Sequence, residues 1–385
     1  MLVTREAAKR LQYLAKTFRA VAVIGPRQSG KTTLCKMVFP KKSYVSLENP
    51  AVLQFAQTDP EGFLAQFPKG AIIDEAQRMP QLFSYLQQLL DETKSRGLFI
   101  LTGSNNFLMQ ENITQTLAGR IGYLTLLPFS VTELSSDKLL KNQWYANAYR
   151  GFYPEPAVKK INPGVWYAAY TKTYIERDVR QIKNIENLSL FTKFLHLCAG
   201  RAAQILNINS LANDCGIDNK TAHSWLGIME SSFITFQLKP YFKNFNKQIT
   251  KSPKLYFYDT GLLCYLLHIN GGSELHSSMY KGSVFENFII SEKIKQKENT
   301  GLDCEFFFWR DKTGNEVDLI TDNHKSITIA EIKAAETINP AFWKTLYYFE
   351  TLSGKTLEKT LYYGGKENQK RSGLLHIKGW QFLSE

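Results

Sequence analysis

The chain has little of the chemistry that usually marks a small stabilised or metal-bound domain. Its five cysteines (Cys35, Cys198, Cys215, Cys264 and Cys304) include no C-x-x-C pair, and an odd number closes no disulfide set. The six histidines are scattered, so a zinc site is not indicated. Free thiols of this kind point to a reducing cytoplasm. No apolar run approaches the roughly 20 residues that span a bilayer. The opening MLVTREAAKRLQYLAK also lacks the apolar core and cleavage site of a secretory signal. It reads instead as an amphipathic helix carrying Arg5, Lys9 and Arg10, and no membrane partner is expected. Internal repeats and long low-complexity tracts are missing too.

What is present is an ordinary globular composition, 44% hydrophobic and 21% charged, over 385 residues. That length suits two or three cores. The net charge is +12, which favours an acidic partner such as nucleic acid. Its distribution is uneven. Lys and Arg outnumber Asp and Glu by 15 to 9 in residues 1–130 and by 17 to 10 in residues 131–273, whereas residues 274–385 carry 15 against 16.

The first 130 residues alternate strand-like and helix-like pieces. Ala20–Ile24, Tyr44–Leu47, Ala71–Ile73, Leu98–Thr102 and Tyr123–Leu127 read as buried strands, and Leu82–Leu90 as a helix between two of them. Such alternation predicts an α/β fold with a mostly parallel sheet covered on both faces. After Pro128 come helices rich in Tyr and Trp. INGGSELHSS (269–278) is the best linker candidate, and beyond it a helix (Ser283–Lys297) precedes strands at Glu305–Trp309, Glu316–Ile320 and Ser326–Ile332. We divide the chain into 1–135, a P-loop domain; 136–190, a helical linker or lid; 191–268, a winged-helix-like segment; and 274–385, a second α/β domain.

Residues 25–32 complete a G-x-x-x-x-G-K-[ST] loop between a strand and a helix. Gly25 and Gly30 let the backbone curl so that the N–H groups of the loop (Gly25, Pro26, Arg27, Gln28, Ser29, Gly30, Lys31, Thr32 and Thr33, Pro26 lacking one) surround a triphosphate. The helix N-terminus adds its dipole. Lys31 reaches the β- and γ-phosphates, and the Thr32 hydroxyl coordinates Mg²⁺. ATP and Mg²⁺ are therefore the expected cofactors. The apolar strand before Asp74-Glu75 places Asp74 on the Mg²⁺ side and Glu75 where it can orient and deprotonate a water. A water-activating acid argues for a hydrolase over a P-loop kinase. Asn105 or Ser104, after the next strand, is placed to sense the γ-phosphate. Arg120 is either a finger acting on a neighbouring subunit or a structural ion pair.

Asn209–Met229 reads as helix, turn at Gly216, and helix capped by Asp218, with Lys220, His223 and Ser224 available to a groove. A strand (Phe233–Leu238) follows, and then Lys239, Lys243, Lys247, Lys251 and Lys254 with Tyr241, Phe242 and Phe245 among them. No acid occurs from Ser231 to Tyr258. This is what a winged helix needs to hold DNA phosphates; a packed helical hairpin with a solvated basic face is the alternative.

In the last third, Glu316-Val-Asp318 and Glu331-Ile-Lys333 lie on two short strands joined by a turn at Asp322–His324. A hairpin brings Asp318 and Glu331 to adjacent positions, with Lys333 on the face of Glu331. Glu286 lies upstream on the apolar side of a helix. Glu286, Asp318 and Glu331 as metal ligands with Lys333 as the cationic partner form the pattern of PD-(D/E)XK nucleases. A salt-bridged hairpin and a nuclease-shaped fold without activity are the alternatives.

GPRQSGKTT (25–33), AIIDEAQ (71–77), LTGS (101–104), LAGR (117–120), YIERDV (174–179), YFYDTGL (256–262), GSVFENF (282–288) and the EVD…EIK set (316–333) together resemble one family. These are prokaryotic predicted ATPases that join an AAA-type domain to a C-terminal region of unknown function with a restriction-endonuclease-like fold. The resemblance runs from Phe18 to about Tyr348. It implies Walker A and B roles for Lys31, Thr32, Asp74 and Glu75, and a winged-helix segment before the terminal domain. No second-sensor arginine is visible after the AAA core. An ATPase coupled to DNA binding or cleavage is the first expectation, and an ATP-driven scaffold the second. A homo-oligomer follows if Arg120 serves a neighbouring site.

Overall fold

The computed structural model of the chain describes residues 2–104, 117, 119–175, 187–241 and 251–383, apart from the side chains of 174 and 175. Asn105, Phe242, Lys243, Phe245 and Lys247 lie outside the described residues, as does most of YIERDV.

The N-terminal third begins with helix α1 (Ala7–Thr17), strand β1 (Ala20–Ile24) and helix α2 (Lys31–Val38). Then come β2 (Ser43–Ser46), α3 (Pro50–Thr58), α4 (Pro60–Ala65), β3 (Ala71–Asp74), α5 (Leu82–Glu92), β4 (Phe99–Gly103) and β5 (Ile121–Thr125). Among the described residues the strands form one parallel sheet in the order β2-β3-β4-β1-β5. Each residue of β1, β3 and β4 is buried, because both faces carry apolar residues. Val21, Val23, Ile72 and Ile100 pack under α1 and α2. Ala20, Ala22, Ile73 and Leu101 pack against α5 on the other face. β4 thus lies between the strand that feeds the phosphate loop and the strand that carries Asp74.

Residues 269–278, expected as a linker, carry packed structure. This stretch contains a helix, Gly272–Ser277, and one hydrophobic cluster runs from Phe129 to Leu383 across it. Gly272 is there for close packing: a Cβ on it would stand 3.1 Å from the Ala146 Cα. Leu275 is fully buried, and the Glu274 carboxylate accepts from the Asn270 N–H at 2.8 Å. A Gly/Ser-rich stretch reads as a linker only where nothing packs on it.

The elements of this larger part are α6 (Val131–Ser136), α7 (Trp144–Arg150), α8 (Pro154–Val158), α9 (Pro163–Tyr170), α10 (Leu188–Ala199), α11 (Ile208–Cys215) and α12 (Asn219–Ser231). They are followed by β6 (Thr235–Pro240), β7 (Lys254–Phe257), α13 (Thr260–Leu266), α14 (Gly272–Ser277) and α15 (Lys281–Thr300). The chain ends with β8 (Glu305–Arg310), β9 (Glu316–Asp322), β10 (Ile327–Lys333), α16 (Lys344–Ser353), β11 (Glu358–Tyr363), β12 (Asn368–Arg371) and β13 (Leu375–Gly379). Gly216, at φ 83°, ends α11, and the Asp218 carboxylate caps α12 by accepting from the Thr221 N–H at 2.9 Å. Trp225, Leu226 and Met229 are buried, while Lys220 and His223 are exposed.

A mixed sheet in the order β12-β13-β11-β10-β9-β8-β6-β7 joins the middle of the chain to its end. The joint is the parallel pair β6–β8, at Lys239–Phe307 and Pro240–Phe308. α15 lies across this sheet and is buried along much of its length. Its far end meets α1, where Arg10 donates to the Glu298 carbonyl. It also meets the start of α6, where the Glu292 carboxylate accepts from the Val131 N–H at 2.7 Å.

Candidate active sites

The phosphate loop is shaped by its glycines. Gly25 has φ 148°, and a Cβ there would stand 2.2 Å from the Leu126 carbonyl oxygen. Gly30, at φ 94°, caps α2. The Lys31 ammonium turns back on the carbonyls of Gly25 and Pro26, at 2.9 and 2.8 Å. Burial lowers its pKa to about 8, against the opposing pull of Glu75 and Asp74. The Ser29 hydroxyl is buried without a partner among the described residues. A buried orphan donor inside such a loop is a fit for a phosphate oxygen.

Thr32 and Asp74 meet as expected: the Thr32 hydroxyl lies 3.0 Å from both carboxylate oxygens. Two further hydroxyls donate to Asp74, Tyr44 at 2.8 Å and Thr102. Neither was singled out in the sequence, since nothing local links them to Asp74. Glu75 stands at φ 55°, ψ 44°, a left-handed conformation uncommon away from glycine. Its carboxylate accepts from Gln77 Nε2 at 2.6 Å and from the Ser104 hydroxyl at 3.2 Å. Of the two γ-phosphate candidates, Ser104 therefore stands beside Glu75, and Asn105 lies outside the described residues.

Arg5, read in the sequence only as part of a basic helix, is buried beneath this loop. It donates to the carbonyls of Ser29 (2.8 Å) and Leu127 (2.6 Å), and to the Glu133 carboxylate (2.9 Å). Glu133 also closes a capping box with Ser130, a Ser-x-x-Glu signal visible in the sequence. Arg120 takes the ion-pair arrangement, bidentate on Asp91 at 2.5 and 2.9 Å. It precedes β5, so in this chain it stands at the end of the sheet opposite the phosphate loop.

Two cavities adjoin at the loop. One, of about 460 Å³, is lined by Arg27, Lys31, Thr32, Asp74 and Glu75. The other, of about 320 Å³ and largely apolar, is lined by Leu2, Val3, Leu34, Met37, Phe129 and Val158. Gly30, Thr33, Pro154 and Glu155 border both. α8 thus brings the middle of the chain to the edge of the nucleotide site.

The terminal cluster is assembled from four elements. Beyond the Ala330–Leu319 rung of the β9–β10 ladder, Asp318 and Glu331 come next on their strands. The Asp318 carboxylate accepts from the Ile332 N–H at 2.8 Å. Lys333 contacts Glu331 and lies 3.8 Å from Asp318. Glu286 reaches in from α15. Glu286, Glu316 and Asp318 hold carboxylate oxygens within 4.8 Å of one another. Glu331 keeps one buried oxygen with no partner among the described residues. Burial raises Glu286 to about 7 and Glu331 to about 8, with Asp318 pushing both the same way.

One lysine of the sequence is displaced from its expected role. Lys254, grouped with the phosphate-binding lysines, is buried to 2% exposure on β7 and bound to Glu286 and Glu316. Four acids thus surround Lys254 and Lys333, and Glu316 also pairs with Arg310 at 3.2 Å. The three convergent carboxylates and the orphan Glu331 oxygen are a fit for one divalent cation.

Residues 17–135 match the family described as AAA domain. Residues 141–273 and 281–382 match two domains of unknown function (DUF8612 and DUF4143). The chain is 29% identical over 330 residues to uncharacterized proteins of Mycobacterium tuberculosis (Rv2008c) and Mycobacterium bovis (Mb2031c). Each alignment covers 84% of this chain and 72% of the relative. Among solved structures, the Walker-type ATPase PABY2304 of Pyrococcus abyssi is similar at 15% identity and a TM-score of 0.43, over 68% of this chain and 94% of that one. The N-terminal third is an AAA-type P-loop ATPase domain, by its family match and its loop. No helix among the described residues is long and apolar enough to cross a membrane.

Proposed function

We propose that this chain, whose residues 17–135 form an AAA-type ATPase domain, binds ATP with Mg²⁺, hydrolyses it, and uses the cycle to control a DNA-directed terminal domain. The observation that carries the reading is the convergence of Lys31, Thr32 and Asp74 at the end of one parallel sheet. Mg²⁺ held by Thr32 and Asp74 would neutralise charge on the β- and γ-phosphates. The loop N–H groups and Lys31 bind the triphosphate, and the apolar cavity beside Gly30 receives the base. Glu75, held by Gln77 and Ser104, takes the proton of the attacking water.

We read Glu286, Asp318, Glu331 and Lys333 as a PD-(D/E)XK centre. A divalent ion there would activate water and polarise a phosphodiester. Lys333, beside Glu331 and Asp318, offsets charge developing on the phosphate. The α11–α12 unit with the β6–β7 hairpin serves as a winged helix, and Lys220 and His223 on the exposed side of α12 hold DNA phosphates. On this reading the protein works in the cytoplasm, and Arg120 completes a neighbour's site only in a homo-oligomer.

A second reading is favoured by Lys254. An ammonium already lies among the acids, as it would in a nuclease-shaped module that binds without cutting and follows the ATPase as a switch. The test is cleavage of labelled single- and double-stranded DNA with Mg²⁺ or Mn²⁺, with and without ATP. The first reading expects cleavage in the wild type and none in Lys333→Ala, with ATP turnover unchanged. No cleavage on any substrate selects the second.

A further inference from the structure

Lys254 is the least expected residue of the terminal cluster. It comes from β7, outside the helix and two strands that carry the four acids. Its ammonium bonds Glu286 at 2.8 Å and contacts Glu316. The Tyr256 hydroxyl donates to the same Glu286 oxygen at 2.7 Å, and the Phe308 ring lies 5.5 Å from the Lys254 nitrogen. Glu286 and Glu316 are two of the three acids whose oxygens converge within 4.8 Å. A divalent ion on those oxygens would stand close to the Lys254 ammonium, and the two like charges would repel; Glu316 is also paired with Arg310, at 3.2 Å.

The lysine is held firmly in place. β7 pairs with β6 on one side and bonds the backbone of Ala203 and Gln204 on the other, and all four of its residues are buried. It continues the unit of α10, α11 and α12.

We infer that Lys254 is a tethered cation that competes with a divalent ion for the carboxylates of Glu286, Glu316 and Asp318. This rests on the reading of the cluster as a metal site. It gives the middle unit a direct hold on the terminal one, since the competing ammonium comes from β7.

The test is Mn²⁺ binding by titration calorimetry on the full chain without nucleotide, comparing wild type, Lys254→Met and Lys254→Met with Asp318→Asn. Competition predicts that Lys254→Met binds Mn²⁺ at least about tenfold more tightly than wild type, a gain removed by Asp318→Asn. Equal, Asp318-dependent binding in wild type and Lys254→Met overturns the competition and leaves the metal site standing. No Mn²⁺ binding in either overturns both. Should Lys254→Met fail to fold, acetylation of wild-type amines read by mass spectrometry decides. Lys254 reactivity that rises with Mn²⁺ supports the inference, and flat reactivity overturns it.

Discussion

Lys31 and Lys254 are both buried lysines close to acids, yet their surroundings push them in opposite directions. Among the described residues the Lys31 ammonium bonds the carbonyl oxygens of Gly25 and Pro26, and burial wins: its pKa falls to about 8. Around Lys254 burial acts the same way, but Glu286 and the neighbouring acids overcome it and hold the ammonium firmly charged. Lys333 follows Lys254, through Asp318 and Glu331. The phosphate site thus keeps its positive charge and its orphan Ser29 hydroxyl for a ligand. The terminal site already satisfies most of its own charge. A centre of the first kind is built to bind from solution, whereas one of the second kind has to be opened.

The contrast breaks most visibly at the phosphate site. Lys31→Ala should abolish binding of a fluorescent ATP analogue. Glu75→Gln should retain that binding while ATP turnover falls by about 10²–10⁴-fold. Normal turnover in Glu75→Gln would remove the water-activating role.

Arg5→Met comes next. It leaves Glu133 buried without its cation and frees the Ser29 carbonyl, so chemical denaturation should show a loss of about 3–5 kcal/mol. ATP affinity should fall with it. A loss of stability with unchanged affinity would make Arg5 a structural tie only.

A pH titration sharpens the comparison from the terminal side. Glu286 and Glu331 are raised from 4.5 to about 7 and about 8, so the folded chain holds protons that the unfolded chain releases. Their contribution is fully present below pH 4.5 and is lost as pH rises through 7 and 8. The melting temperature should therefore decline from pH 6 to pH 9, and Glu331→Gln should flatten the decline. A slope unchanged in that variant would place the titrating groups elsewhere.

The smallest effect is expected at Arg120, which stands at the end of the sheet opposite the phosphate loop. Arg120→Ala should barely move the melting temperature, since its pair with Asp91 is exposed to solvent. A collapse of turnover with ATP binding intact would instead mark the finger of a neighbouring subunit.

How much of this was legible depended on distance along the chain. The loop at 25–32 could be read whole, because its function resides in consecutive backbone groups. Asp74 and Glu75 followed from an apolar strand ending in two acids. The pairing of Asp318 with Glu331 was readable because one turn joins their strands. Tyr44 and Thr102 on Asp74, Arg5 under Ser29, and α8 at the cavity edge carried no such signal. Lys254 was misread for a related reason. A lysine in a run without acids looks exposed until the acids arrive from α15 and β9. The packing of the Gly/Ser stretch at 269–278 carried no local signal, because its partner, Ala146, lies in another helix.

By itself the sequence determined the parallel sheet and the phosphate loop, since periodicity and short spacings are properties of neighbouring residues; it pointed to Glu286 and Asp318 but not to Glu316 beside them. Tertiary structure alone decided the continuous sheet through β6 and β8, the burial of Arg5, and the lysine set among the terminal carboxylates. Those outcomes depend on which distant surfaces meet. Desolvation, which determines whether a charge is held or shifted, exists only once they have met.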